Sequence, residues 1–162
     1  MTLYLLDANV LIRAHEDYYP VDRIPQFWAW LLTQAKAGAV KMPLQIYNEV
    51  APSRGLLADW LRQPDIRDAI LLDEAADLRR VQQVLAHGYA VDLTDVELEE
   101  IGQDPFLIAA ALGGTDRVVV TREASKPTAT RARRRIPDVC NAFGLTVITD
   151  FALYRLLDFS IR

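Results

Sequence analysis

The sequence predicts an α/β fold on a parallel sheet, and three observations carry that expectation. Four short runs, LYLLD at 3–7, AVKM at 39–42, RVVVT at 117–121 and LTVIT at 145–149, are apolar nearly throughout rather than alternating. Continuous apolarity suits strands buried on both faces of a parallel sheet. Helical patterns fill the intervals, and the resulting strand–helix alternation is the signature of an α/β protein.

The elements follow in chain order. A helix is expected to begin near Asn9, directly after the first strand. IPQFWAWLLTQAKAG at 24–38 carries Pro25 near its start and Gly38 at its end, the usual helix asymmetry. PLQIYNEVA at 43–51 places Ile46, Tyr47 and Val50 at helical spacing. EAADLRRVQQVLAHG at 74–88 repeats its apolar positions every three or four residues and stops at Gly88. TDVELEEIG opens with Thr94 and Glu97 as a capping box. DPFLIAAALGG offers Asp104 as an N-cap with Pro105 behind it. REASKPTATRARRRIP, rich in arginine and turn formers, reads as a surface loop, and DFALYRLLDF is the closing helix. One domain over 1–162 is expected, with 53–93 as a helical elaboration between the second and third strands.

Composition narrows the functional classes. Hydrophobic residues at 51% and charged ones at 25% fit a soluble globular chain, and a net charge of −4 gives no general attraction for nucleic acid. A single cysteine, Cys140, excludes an intramolecular disulfide and a multi-cysteine metal site. Its apolar neighbours Val139 and Phe143 point to a buried, inert thiol, which fits a reducing cytoplasm. No secretory signal is read at the N-terminus, where Asp7 interrupts the apolar stretch. The longest apolar run, FLIAAALGG, is far short of the ~20 residues that span a bilayer.

Charge is unevenly spread. Residues 92–104 hold six acids and no base, whereas 122–135 hold six bases and one acid. This pattern reads as two solvated faces or as a phosphate-facing edge beside an acidic one.

Four acids fall where ligands collect in a parallel sheet, beyond the carboxyl ends of the strands. Asp7 ends the first strand, Glu49 lies in the helix after the second, Asp104 starts a helix running into the third, and Glu123 follows the third. Each alone has a local explanation in helix capping, surface solvation or pairing with Arg122 or Lys126. Together they need more, because two like charges ~4 Å apart repel by about 4 kcal/mol at an effective dielectric near 20. A divalent cation relieves that repulsion, and oxygen-only ligands select Mg²⁺ or Mn²⁺ over zinc.

The order LLDANVLI, NEV, DPFLIAAA and VVVTRE resembles a PIN domain, the nuclease fold of VapC-type toxins, over nearly the whole chain from Tyr4 to about Ile148. The resemblance implies a three-layer α/β/α fold with a central, mainly parallel sheet of four to five strands. It implies a Mg²⁺- or Mn²⁺-dependent endoribonuclease whose catalytic and metal-binding acids are Asp7, Glu49, Asp104 and Glu123. Asn9 and Thr121 take the supporting positions that orient them. It also implies a protein antitoxin as partner. Two features depart from the family's pattern: the fourth acid is Glu123 rather than the commoner Asp, and 53–93 is longer than a minimal member needs. Both are similar to a lesser-known bacterial PIN-like branch.

With that site in place, the bases Arg122, Lys126, Arg131, Arg133, Arg134 and Arg135 become candidates for gripping RNA phosphates beside the cut. His15 and His87 read as structural. Trp28, Trp30 and Trp60 read as core or interface residues, and an exposed apolar face on the 24–38 helix would suit a homodimer or an inhibitory partner. Two rivals stand beside the nuclease: a haloacid-dehalogenase-type phosphatase, which wants Asp where Asn9 stands, and a non-catalytic PIN-fold RNA-binding or regulatory module.

Overall fold

The computed structural model describes residues Met1–Arg162 and places four parallel strands in the order β2-β1-β3-β4. These are β1 (Leu3–Leu6), β2 (Val40–Lys41), β3 (Arg117–Val120) and β4 (Thr146–Ile148). The register pairs Tyr4 with Val40 on one side of β1, and Leu5 with Val119 on the other. β4 joins β3 through Val119 and Val147. Leu5, Leu6, Val119 and Val120 are wholly buried, as continuous apolar runs in a parallel sheet demand.

Ten helices flank the sheet in a three-layer α/β/α arrangement: α1 (Ala8–Arg13), α2 (Pro25–Lys36), α3 (Leu44–Val50), α4 (Leu56–Arg62), α5 (Pro64–Ile70), α6 (Leu78–Val84), α7 (Asp95–Ile101), α8 (Asp104–Leu112), α9 (Ile136–Ala142) and α10 (Asp150–Leu156). α1 and α6 each widen at their ends into a π turn, over Ala14–Tyr18 and Leu85–Tyr89. α2 begins at Pro25 as expected, and α7 closes both bonds of the Thr94–Glu97 capping box at 3.2 Å.

The structure corrects several expectations. The helix read at 74–88 starts only at Leu78, because Asp77 accepts from the Arg79 amide and caps it there. α9 lies in a stretch that carried no helix expectation. The arginine-rich loop contains one 3₁₀ turn, Arg131–Arg133. The 53–93 elaboration is helical, yet Leu71 also makes a parallel bridge to Met42 that lengthens the sheet edge.

One apolar core runs through all layers, and the elaboration contributes Trp60, Leu61, Ile66, Ile70, Val81 and Val84 to it. Trp28 and Trp60 meet edge to face at 4.9 Å, and the Trp28 indole donates to the Tyr19 carbonyl at 2.6 Å. The homodimer face expected on α2 is absent. Phe27, Trp28 and Leu31 are buried, and Trp30 packs on Phe159 at 5.0 Å and on Tyr154, so the C-terminal segment of the same chain covers that surface. No helix is long and apolar enough to cross a membrane.

Candidate active site

The chain leaves β1 toward β2 on one side and later enters β3 on the other. The β1–β3 boundary is therefore the topological switch point, where α/β sheets bind ligands. Asp7 stands at the end of β1 and Thr121 at the end of β3, and the Asp7 amide donates to the Val120 carbonyl at 2.9 Å. Both side chains are buried. Asp7 caps α1, its Oδ1 accepting from the Ala8 amide at 2.8 Å, while its Oδ2 accepts from the Thr121 hydroxyl at 2.9 Å.

The same Thr121 oxygen accepts from the Asn9 amide nitrogen at 3.3 Å and from the Glu123 amide at 3.1 Å. Asn9 Oδ1 in turn accepts from the Arg122 amide at 3.3 Å. Asn9 and Thr121 thus lash the two strand ends together and hold one orientation of Asp7. Glu123 does not pair with Arg122 or Lys126. Its Oε2 accepts from the Ile136 amide at 2.9 Å, capping α9 from outside the helix.

Asp104 departs from its expected local role. It is the first residue of α8, Gln103 occupies the N-cap, and no side-chain bond caps the helix. Its carboxyl is left without local duty. Burial first, and then the charges of Asp7, Glu123 and Glu49, push it up to about 8. Asp7 is pushed up to about 6 by burial and by Glu123, against the lowering bonds from Thr121, Ala8 and Asn9. Glu49 is an exposed residue of α3, yet local desolvation of its carboxyl and the Asp7 charge push it up to about 7. None of the four takes part in an ion pair.

Asp104 therefore feels the charge of the other three acids, but the four are not equivalent in position. Asp104 and Glu123 line a cleft of about 650 Å³ together with Tyr89, Lys126, Arg133 and Arg135. Glu49 stands at the margin and lines a neighbouring groove with His15 and Arg54. A further cavity under Val81 and Phe106 contains none of them.

The expected metal set fits in chemistry more closely than in spacing. Its donors are oxygen only, partly buried and without a cationic partner, the state a hard divalent ion relieves. No three carboxylate, imidazole or thiol groups are gathered tightly enough to hold an ion as they stand.

The six bases divide. Arg131 clamps the acidic strip, bonding Asp92 at 2.8 Å and forking onto Glu97 at 2.9 and 3.0 Å, and its φ of +54° is held there by those bonds. Arg134 donates to the carbonyls of Gly88 and Asp138. Both guanidinium groups are thus engaged within the chain, Arg134 from a position that also lines the cleft. Arg133 is exposed and only 3.8 Å from Glu100, while Lys126 and Arg135 are exposed on the cleft with no ion pair. Arg122 is exposed but does not line the cleft.

His15 Nδ1 accepts from the Val21 amide at 3.1 Å, a structural bond. Cys140 is buried as expected, and burial with the nearby acids pushes its thiol up to about 12, away from thiolate chemistry. Tyr89 was not singled out from the sequence. It lies outside the four acid motifs, and its only local signal is an aromatic residue directly after the Gly88 helix stop.

An all-parallel sheet with uncompensated acids at its switch point defines an α/β protein with a candidate anionic site beside a basic cleft rim. Within that class, the chain belongs to the family described as Domain of unknown function (DUF4411), which matches residues 4–161. No curated protein matches it.

Proposed function

We propose that this protein is a Mg²⁺- or Mn²⁺-dependent endoribonuclease of PIN-like type, acting as the toxin of a toxin–antitoxin pair. What supports the reading is that Asp7, Glu49, Asp104 and Glu123, drawn from four distant places, come near enough to act on one another's charge, and none of them is in an ion pair. Asp7, Asp104 and Glu123 would hold the ion, with Glu49 at the margin. When bound, such an ion polarises a phosphoryl oxygen and lowers the pKa of an attacking water.

The chain's own groups supply the rest. Thr121 and Asn9 fix the Asp7 carboxylate, whose Oδ2 accepts from Thr121 while its Oδ1 accepts from the Ala8 amide, so both oxygens are held in place before any ligand arrives. Glu123 is anchored through one oxygen on α9, which leaves the other for the site. Lys126, Arg133 and Arg135 present positive charge along the cleft beside Asp104, suited to phosphate contacts that carry no sequence preference. The phosphatase alternative loses ground at Asn9, whose amide is committed to Thr121 and Arg122 rather than free to move a proton.

The test is cleavage of single-stranded RNA with Mn²⁺ by wild type and by Asp104→Asn of equal fold. A loss of at least 100-fold in the variant, with growth arrest on expressing wild type only, supports the reading. Intact RNA with the wild type overturns it.

A further inference from the structure

Three buried side-chain polar atoms have no hydrogen-bond partner: Tyr89 Oη, Asp150 Oδ2 and Tyr154 Oη. Asp150 and Tyr154 lie together on α10, where Arg13 approaches Asp150 at 3.8 Å. Tyr89 is different, because it lines the same cleft as Asp104 and Glu123. A buried hydroxyl without a partner is destabilising, so its retention wants a reason.

The chain holds this phenol firmly. Tyr89 ends the π turn after α6, with the Ala90 amide returning to the Leu85 carbonyl at 3.0 Å and Arg134 donating to the Gly88 carbonyl. Gly88 is pressed against α9: a Cβ there would lie 2.7 Å from Val139 Cγ1 and 3.0 Å from Phe143 Cε2. The ring is 8% exposed and forms part of the cleft wall beside Asp104.

Of the two acids, Asp104 is the one in need of a donor. Glu123 already accepts from Ile136, whereas nothing donates to Asp104. The phenol hydroxyl has a proton to donate. We propose that Tyr89 is a positioning residue of the acidic site, its hydroxyl donating to the Asp104 carboxylate when the site holds a divalent cation. The inference rests on the metal-dependent reading above. It also gives the helical elaboration a task, since Tyr89 comes from that segment and from none of the four acid motifs.

Partners of this kind, one step behind the ligands, typically change metal affinity or activity by about 10–100-fold when removed. The experiment is calorimetric Mn²⁺ titration of RNA-free wild type, Tyr89→Phe, Asp104→Asn and the double variant, with thermal unfolding in EDTA alongside. The expected result is Mn²⁺ affinity at least 10-fold weaker in Tyr89→Phe, no further loss on adding it to Asp104→Asn, and a Tm in EDTA that does not fall. Wild-type affinity in Tyr89→Phe overturns the positioning role and leaves the metal reading standing. A lowered Tm with unchanged affinity also overturns it and marks a packing role. Weakened Mn²⁺ binding in Tyr89→Phe without RNA cleavage by wild type sinks the nuclease reading but keeps this one, whereas no Mn²⁺ binding by wild type sinks both.

Discussion

Asp104 shows how one carboxyl ties stability to ligand binding. Its value near 8, with Asp7 near 6 and Glu49 near 7, means that the folded chain holds protons which the unfolded chain releases near pH 4. A carboxyl raised on folding favours the native state at low pH, and that advantage drains away as pH climbs from the unfolded value through the folded one. Metal-free protein is therefore expected to lose stability from this cluster between about pH 4 and pH 8. Asp104→Asn removes a share of the loss and should raise stability at pH 8 by on the order of 2 kcal/mol, with little effect at pH 4. Denaturant unfolding in EDTA across that range checks it, and a slope identical to wild type would refute the cluster's role. The motif residues were legible because each sits beside a strand end: Asp7, Asn9 and Thr121 were placed by counting from apolar runs. Asp104 was legible as an acid at a helix start but not as an uncapped one, since Gln103 takes the cap through backbone geometry that composition does not encode.

Elements were readable where a pattern is long or sharply punctuated. All four strands and the helices from Pro25, Leu44, Asp95, Asp104 and Asp150 follow from continuous apolarity, proline starts and caps. α9 was missed despite Pro137 in its first turn, because no side chain of its own caps it and its N-terminus is satisfied by Glu123 from another element. The same helix fixes the turn that bears Tyr89. Gly88→Ala would drive a methyl group into Val139 and Phe143, and Val139 is wholly buried with no room to retreat. Overpacking of this kind costs about 1–3 kcal/mol. The expected outcome is a lower Tm together with weaker Mn²⁺ binding, because the turn carries Tyr89 with it. Thermal unfolding and metal titration of Gly88→Ala check both halves, and unchanged Tm would show that α9 yields instead.

At the scale of the molecule, the net charge of −4 conceals a division of labour. The acidic strip and the basic loop, which the sequence alone left open as two solvated faces, are docked on each other: Arg131 forks onto Glu97, which it holds down near 2, and Arg133 lies near Glu100. Exposed pairs contribute little singly, about 0–1 kcal/mol, but the Arg131 clamp engages two acids and fixes the loop that forms one wall of the cleft. The docking leaves Lys126 and Arg135 as cleft-lining bases without an ion pair. On the proposed ribonuclease reading, a chain of net negative charge would bind RNA through a few local charges, and salt dependence counts them. Each phosphate contact on a single strand contributes about −0.7 to the slope of log K against log salt. Lys126→Ala and Arg135→Ala should each make the slope shallower by about that amount while leaving Tm unchanged. Arg131→Ala should instead lower Tm, with a smaller change in slope, because its charge is already spent on Asp92 and Glu97. Fluorescence titration of labelled single-stranded RNA in EDTA, repeated across salt concentrations, separates the two classes. Equal slopes in all three variants and wild type would place the RNA away from this cleft.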